Sequence, residues 1–231
     1  MKIWFCIIFI LLGCQNQRRQ KIGIKSSFVI VDELNWYEIS NKFPKEVKEQ
    51  SKVIVRLEND KLRCIGLMIS SNTVLTAAHC LKDEEISIVL NNEKYACPNI
   101  IHTNHLLDYG LVGCQLPKNI LINYYDIYDY VSPLENEKVY LLHSNCSPFE
   151  QDCAIKTRVS PGKIIEVEKE FKHTADTFKG SSGAPIFSAK DFKLIGIHIK
   201  GKQDSPYYGP FNKALKIEHI IEDLKVNDFS F

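Results

Sequence analysis

The sequence has no excess of charge of either sign, and this absence limits its partners. Lysine and arginine total 29 against 28 acidic residues, so the formal net charge is +1. A nucleic-acid-binding surface usually requires an excess of basic residues, so we expect no nucleic-acid partner. Internal repeats and low-complexity segments are also missing. The 45% hydrophobic and 25% charged content is ordinary for a globular protein.

A metal-binding pattern is missing as well. The eight cysteines form no C-x-x-C pair, and the seven histidines are scattered along the chain. Structural zinc sites usually have cysteine and histidine ligands at short, regular spacings. We therefore expect neither a metal ion nor another cofactor.

An apolar run at the start of the chain follows a single charge, Lys2. It is too short to span a bilayer comfortably, so we interpret residues 1–13 as a signal peptide. Residues 11–14 (LLGC) resemble a bacterial lipobox, which predicts lipidation of Cys14 and anchoring at the membrane of a bacterial cell envelope. An ordinary secretory signal with an incidental cysteine is the alternative. The polar residues 14–27 are expected to form a tether.

Short apolar runs separated by turn residues predict β-structure in the first half of the chain. They cover residues 53–57, 64–69, 73–77 and 86–90. Many short strands with regular turns are typical of a β-sandwich or β-barrel. The only clear helical period is terminal, with Asn212 as a candidate start, and its apolar positions are Leu215, Ile217, Ile220, Ile221 and Leu224.

Residues 179–187 (KGSSGAPIF) are the candidate centre of a chemical site. The two glycines allow a sharp turn around Ser182 and present bare N–H groups. A serine hydroxyl needs a nearby base and donors for the oxyanion that forms after its attack. His79, in the motif LTAAHC, and Asp108, in the motif DYGLV, are candidates for the base and its orienting carboxylate. A loop serine, a core histidine and a turn carboxylate would explain each residue separately, but the three motifs together favour a catalytic triad.

The chain order His, Asp, Ser belongs to chymotrypsin-type enzymes, whereas α/β-hydrolases have the order Ser, Asp, His. The hydrolase motif G-x-S-x-G also fails, because Ala184 occupies its last glycine position. The three motifs resemble those of trypsin-like serine peptidases, and the closest resemblance is to bacterial glutamyl endopeptidases, over about residues 30–225.

This resemblance implies an all-β fold of two antiparallel β-barrels with a C-terminal α-helix. His79 and Asp108 would lie in the first barrel and Ser182 in the second, with the active site in the cleft between them. The expected serine peptidase domain covers residues 28–231, with barrels at about 50–118 and 132–211 and the helix at about 213–226.

The resemblance also implies a mechanism. Ser182 would attack a peptide carbonyl, His79 would take its proton and return it to the leaving amine, and Asp108 would orient the imidazole. The backbone N–H groups of Gly180 and Ser182 would form the oxyanion hole. We expect protein or peptide substrates and a monomeric enzyme.

Six cysteines remain after Cys6 in the signal and Cys14 are set aside. An even number in an exported protein suggests disulfides. The expected pairs are Cys64–Cys80, Cys97–Cys114 and Cys146–Cys153. The resemblance implies the first pair, which would brace the histidine loop. The third closes a short loop, and the second follows by elimination.

Four residues are candidates for the substrate pocket: Asp176, Thr177, His198 and Lys200. In trypsin-like enzymes an aspartate six residues before the serine binds Arg or Lys, whereas glutamyl endopeptidases hold an acidic side chain with a threonine and a strand histidine. A buried aspartate facing that carboxylate would repel it, so an acidic preference requires Asp176 to point away. We favour cleavage after Glu, and cleavage after Arg or Lys or a broader preference stays open.

Ser181 departs from the pattern of trypsin and its animal relatives, which have an aspartate before the serine to receive the new N-terminal amine. We therefore do not expect activation through that salt bridge. A catalytically silent protease-like fold, or a surface lipoprotein used for adhesion, remains the alternative class of function.

Overall fold

The computed structural model describes residues 30–31, 34–59, 62–82, 85–144, 156–202 and 210–229. The signal peptide, the tether and the Cys146–Cys153 pair that the sequence predicts lie outside these residues. In chain order the elements are β1 (Tyr37–Glu38), α1 (Lys45–Ser51), β2 (Ile54–Glu58), β3 (Arg63–Met68), β4 (Thr73–Thr76), a 3₁₀ helix (Ala78–Leu81), β5 (Ser87–Leu90), β6 (Glu93–Ala96), β7 (Asn99–Asn104), β8 (Tyr109–Gly113), β9 (Lys138–His143), β10 (Arg158–Val167), β11 (Glu170–His173), β12 (Pro185–Ser188), β13 (Leu194–Lys202), β14 (Phe211–Lys216) and α2 (Ile217–Val226).

Two antiparallel sheets are formed from these strands. The first has the order β6-β5-β2-β3-β4-β8-β7 and is a curled half-barrel. In the second, β10 pairs with β9, which closes the order β10-β11-β14-β13-β12-β9 into a six-stranded barrel, and β1 is added to β10. The predicted fold class, an all-β fold of two antiparallel barrels with a C-terminal helix, is confirmed, and the first of the two barrels is a half-barrel.

The terminal helix begins later than the sequence predicted. Residues 211–216 form β14, and Asn212, the candidate helix start, is a fully buried strand residue whose Nδ2 donates to the carbonyl of Ala175 (2.8 Å). The expected start near residue 213 is therefore wrong, because the apolar period runs from the end of β14 directly into α2. The sequence also missed α1, whose only buried residues are Val47 and Gln50.

Two disulfides brace the first sheet, and they join the pairs Cys64–Cys80 and Cys97–Cys114. The terminal helix α2 contacts β13 and β14 and packs its apolar stripe into the core through Ile217, Ile220, Ile221 and Leu224. Among the described residues, none of the helices has both the length and the apolar character needed to cross a membrane.

The two sheets meet at the backbone of residues 182 and 183. The Ile65 amide donates to the carbonyl of Ser182 (2.8 Å). Gly183 has a φ of +83°, and a Cβ there would lie 2.1 Å from the carbonyl oxygen of Ile65 and 2.3 Å from Oγ1 of Thr76. Only glycine fits this approach, so the turn after Ser182 sits directly against the first sheet.

Candidate active site

His79 lies in the 3₁₀ helix after β4, next to the Cys64–Cys80 disulfide. Its Nδ1 lies 2.8 Å from Oδ2 and 3.0 Å from Oδ1 of Asp108, and its backbone N–H donates to Oδ1 (3.1 Å). The Asp108 carboxylate therefore fixes both the ring and the backbone of His79. With Nδ1 engaged in this way, Nε2 is the nitrogen left for chemistry with the serine.

Ser182 occupies a tight turn between Gly180 (φ +95°) and Gly183. The buried Ser181 stabilises this turn, since its Oγ accepts from the Phe178 amide (3.0 Å) and its own N–H donates to the Phe178 carbonyl (2.8 Å). The N–H groups of Gly180 and Ser182 make no hydrogen bond to any described residue. They are thus available as oxyanion donors.

A cavity of about 430 Å³ lies beside the serine turn, between the two sheets. It is lined by His79, Asp108, Thr177, Phe178, Gly180, Ser182, His198, Ile199, Lys200 and Gly201. All three predicted triad residues and three of the four predicted pocket residues therefore meet in one place. No hydrogen bond between Ser182 Oγ and His79 is found within the described chain, and such contacts often tighten only when substrate binds.

Asp176 does not line this cavity, which corrects its predicted place in the pocket. Its buried carboxylate accepts hydrogen bonds from the backbone amides of Val31 and Asn35, each at 2.8 Å. Beside it, Ile30 packs against Phe178, with Trp36 against both. We call residues 30–31 and 34–36 the N-terminal strap; it anchors Asp176 away from the cavity.

His198 is the pocket residue with the most specific surroundings. Its side chain is buried, and its Nδ1 lies 3.4 Å from Nε2 of the fully buried His173. Burial, reinforced by the nearby His79, lowers the pKa of His198 to about 3. His198 is therefore neutral at pH 7, and a neutral ring presents an N–H to the cavity when Nδ1 accepts from His173.

Two further buried histidines were missed by sequence reasoning. Burial, followed by the charges of Arg158 and His198, lowers the pKa of His143 to about 3, and burial and His198 lower that of His173. Both ring nitrogens of His143 and Nδ1 of His173 lack a hydrogen-bond partner in the described part of the chain. Each histidine is the last residue of its strand, β9 or β11, and this position gave no signal that distinguishes it from a solvent-facing histidine.

The other two predicted pocket residues, Thr177 and Lys200, are less well placed to bind a ligand. The Thr177 hydroxyl donates to Oδ1 of Asn212 (2.9 Å), so a substrate carboxylate would receive this proton only by replacing Asn212 as the acceptor. Lys200 is more than half exposed and its Nζ lies 3.4 Å from Glu170. It adds positive charge at the mouth of the cavity, reduced by solvent screening.

One group of side chains consists of residue types that often bind metal ions. Potential ligand atoms of Cys64, His79 and Cys80 lie within 4.8 Å of one another. Both sulfurs are joined in the disulfide, so neither is a thiolate that could bind a metal ion.

The family of the chain follows from a sequence comparison. The sequence profile of the trypsin-like peptidase domain matches residues 64–197, which are more than half of the chain and include His79, Asp108 and Ser182. The chain belongs to this family and is a serine endopeptidase. No curated protein sequence matches it.

Solved structures support the same fold at low sequence identity. A Glu endopeptidase is 15% identical with a TM-score of 0.68, and the match covers 86% of this chain and 100% of that one. The serine endoprotease of Yersinia pestis is 16% identical with a TM-score of 0.64, covering 82% and 67%. Neuropsin from mouse brain is 18% identical with a TM-score of 0.62, covering 78% and 96%.

We predict that Asp176→Asn loosens the N-terminal strap. The substituted amide has one acceptor oxygen, so its NH₂ group would face one of the two strap amides, donor against donor. Loss of a hydrogen bond to a buried charge costs about 2 kcal/mol. Hydrogen exchange at the Val31 and Asn35 amides should accelerate, and urea unfolding should show the loss. Asp191→Asn, at an exposed site, is the control; unchanged exchange in the Asp176 variant would contradict this role.

We also predict that acid destabilises the fold through its buried histidines. An unfolded histidine binds a proton near pH 6.5, whereas His143 does so only near pH 3 in the folded chain. Its contribution is thus fully present above pH 6.5 and falls by about 1.4 kcal/mol per pH unit below it. His143→Leu should therefore gain about 2 kcal/mol over wild type between pH 7 and pH 5.

Urea unfolding at both pH values measures this difference. His219→Leu, which replaces a partly exposed histidine, is the control and should follow wild type. Parallel pH dependence of wild type and His143→Leu would show that His143 is protonated in the folded protein.

Proposed function

We propose that the protein cleaves peptide bonds after Glu with a triad of His79, Asp108 and Ser182. The observation that carries this proposal is the composition of the cavity beside Ser182. Among the described residues, the only carboxylate in its lining is Asp108, which is bonded to His79, while His198 and Lys200 offer a hydrogen-bond donor and a positive charge. The described part of the lining offers an Arg or Lys side chain no free counter-charge, because Asp176 faces the strap.

The catalytic steps follow from the positions of the groups. Ser182 Oγ attacks the carbonyl carbon as its proton passes to Nε2 of His79, and an acyl-enzyme forms as the peptide amine leaves with that proton. Water then attacks the acyl group by the same route in reverse. The carboxylate of Asp108 stabilises the imidazolium, and the amides of Gly180 and Ser182 stabilise the oxyanion.

Recognition of glutamate would depend on the protonation of His198. With its pKa lowered to about 3, this histidine meets the substrate as a neutral N–H donor. A bound carboxylate favours protonation of a neighbouring imidazole, so binding itself raises this pKa. Such a site binds a carboxylate more tightly than an amide, and it should prefer Glu over Gln.

Digestion of a denatured proteome, with the new peptide ends mapped by mass spectrometry, tests the specificity. We expect ends after Glu with wild type and none with Ser182→Ala. His198→Ala should lower kcat/KM for Glu substrates by about 10- to 100-fold, the value of a hydrogen bond to a charged group. It should leave labelling of Ser182 by a fluorophosphonate probe intact, as should the control His219→Ala.

The other outcomes decide between the alternatives. New peptide ends after Arg and Lys would support peptidase activity but contradict a pocket that binds an acidic side chain. Loss of both Glu cleavage and probe labelling in His198→Ala would mean that the substitution disrupts the turn. Absence of labelling in folded wild type would favour a silent, binding protein.

We further propose that the protein is exported and held at a membrane by acyl chains on Cys14. Support comes from the apolar run and the LLGC motif of the sequence alone. Cells fed an alkyne-tagged fatty acid should label the wild-type protein and not Cys14→Ser, which should become soluble. Equal labelling of both would contradict lipidation at this cysteine.

A further inference from the structure

The hairpin of β7 and β8 carries Asp108 at the end of its four-residue turn, residues 105–108. Asn104 and Tyr109 are the last paired residues before this turn. Asp108 itself has a φ of +60°, an uncommon conformation for a residue other than glycine. Such a conformation persists only where the surrounding structure holds it.

Asp223, on the terminal helix α2, binds the strand residues that flank the turn of this hairpin. Its Oδ1 accepts from Nδ2 of Asn104 (3.0 Å), and its Oδ2 accepts from the hydroxyl of Tyr109 (2.5 Å). The Nε2 of His102 also lies 3.0 Å from Oδ2. One carboxylate thus joins both strands of the hairpin to a helix more than 110 residues away in sequence.

Asn104 extends this connection into the turn. While its Nδ2 donates to Asp223, its Oδ1 accepts from the backbone amides of Leu106 (3.1 Å) and Leu107 (3.0 Å). The Asp223 carboxylate therefore fixes the Asn104 amide, and that amide fixes the backbone leading into Asp108. On the other side, the buried Tyr109 follows Asp108 directly.

The charge of Asp223 suits this role. Its partial burial raises the pKa of the carboxyl, but the hydrogen bonds from Tyr109, Asn104 and His102 outweigh burial and lower it overall. The carboxylate is therefore ionised at neutral pH, and hydrogen bonds to an ionised acceptor are stronger than neutral ones. The ring of Phe229 packs against His102 at a tilt of 54°, with ring centroids 5.1 Å apart.

Asp108 has few other means of orientation. Both of its oxygens bond to His79, and the described residues supply its side chain with no further hydrogen-bond partner. Ile199, which lines the same cavity, has no polar side-chain group to offer. Apart from its bonds to His79, the Asp108 carboxylate is thus oriented by the backbone of its turn.

We propose that Asp223 is a positioning residue, which orients the triad aspartate by binding the β7–β8 hairpin from the terminal helix. The inference rests on the proposed role of Asp108 in the triad. A displacement of about 1 Å in a catalytic group can cost about 100-fold in rate. Asn at position 223 has a single acceptor oxygen and an NH₂ group, so it cannot accept the bonds that the carboxylate does.

Asp223→Asn in the full-length protein tests the role. We expect kcat, normalised to the serines that react with a fluorophosphonate probe, to fall by about 10- to 100-fold, with KM nearly unchanged. Tyr109→Phe removes one of the three hydrogen bonds and should give a smaller fall in the same direction. Glu222→Gln, on the exposed face of the same helix, is the matched control and should behave as wild type.

A double-mutant cycle separates positioning from general destabilisation. If Asp223 acts through Asp108, then Asp223→Asn should have little further effect on the rate of probe labelling in an Asp108→Asn background. Additive effects would overturn the proposal. An unchanged kcat in Asp223→Asn, with only a lower Tm, would overturn it as well, because the contact would then serve stability alone. If Asp223→Asn fails to fold, Tyr109→Phe carries the same cycle.

A spectroscopic measurement distinguishes failure of this inference from failure of the proposed function. The proton between His79 Nδ1 and Asp108 should give a downfield ¹H NMR resonance in wild type, assigned by its loss in Asp108→Asn. We expect it to weaken or shift in Asp223→Asn and to persist in Glu222→Gln. If wild type neither cleaves peptides nor reacts with the probe, the proposed function fails, and the resonance then tests the positioning role by itself. Its persistence in Asp223→Asn would overturn that role, and its loss would support it.

Discussion

The backbone contact between the Ser182 turn and β3 is the constraint on which the site depends. The three residues of the proposed triad come from two separate sheets, so their mutual distances are set by how those sheets meet. The Ile65 amide binds the carbonyl of Ser182, and the missing side chain of Gly183 allows the close approach. The Cys64–Cys80 disulfide lies at the same contact and ties the His79 segment to β3. The positions of Ser182 and His79 are therefore both fixed relative to the same strand, β3.

Around this contact, two of the three loops of the proposed triad are held by carboxylates from distant parts of the chain. Asp176 binds the strap beside the serine turn, and Asp223 binds the hairpin of Asp108. Both are carboxylates whose hydrogen bonds satisfy a buried or half-buried charge, and each reaches across a long stretch of sequence. The buried histidines His143 and His173 are different, because burial keeps them neutral and leaves ring nitrogens without partners among the residues that the structure describes.

The sequence predicted the parts that have local signals. Short apolar runs between turn residues identified β2 to β5, and three motifs identified the residues that the structure gathers at one cavity. The direction of Asp176 was not predictable, because it depends on amides about 140 residues earlier. Asp223 was missed for the same reason, since no local pattern marks a helix carboxylate that binds a distant hairpin. The start of α2 was misplaced because strand and helix share one continuous apolar stretch.

The strap makes one wall of the cavity depend on residues far from it in sequence. Asp176 binds the peptide amides of Val31 and Asn35, which lie about 140 residues earlier in the chain. Removing the residues before β1 would therefore take these two donors away from a buried carboxylate beside the serine turn, although no residue of the cavity lining would be lost.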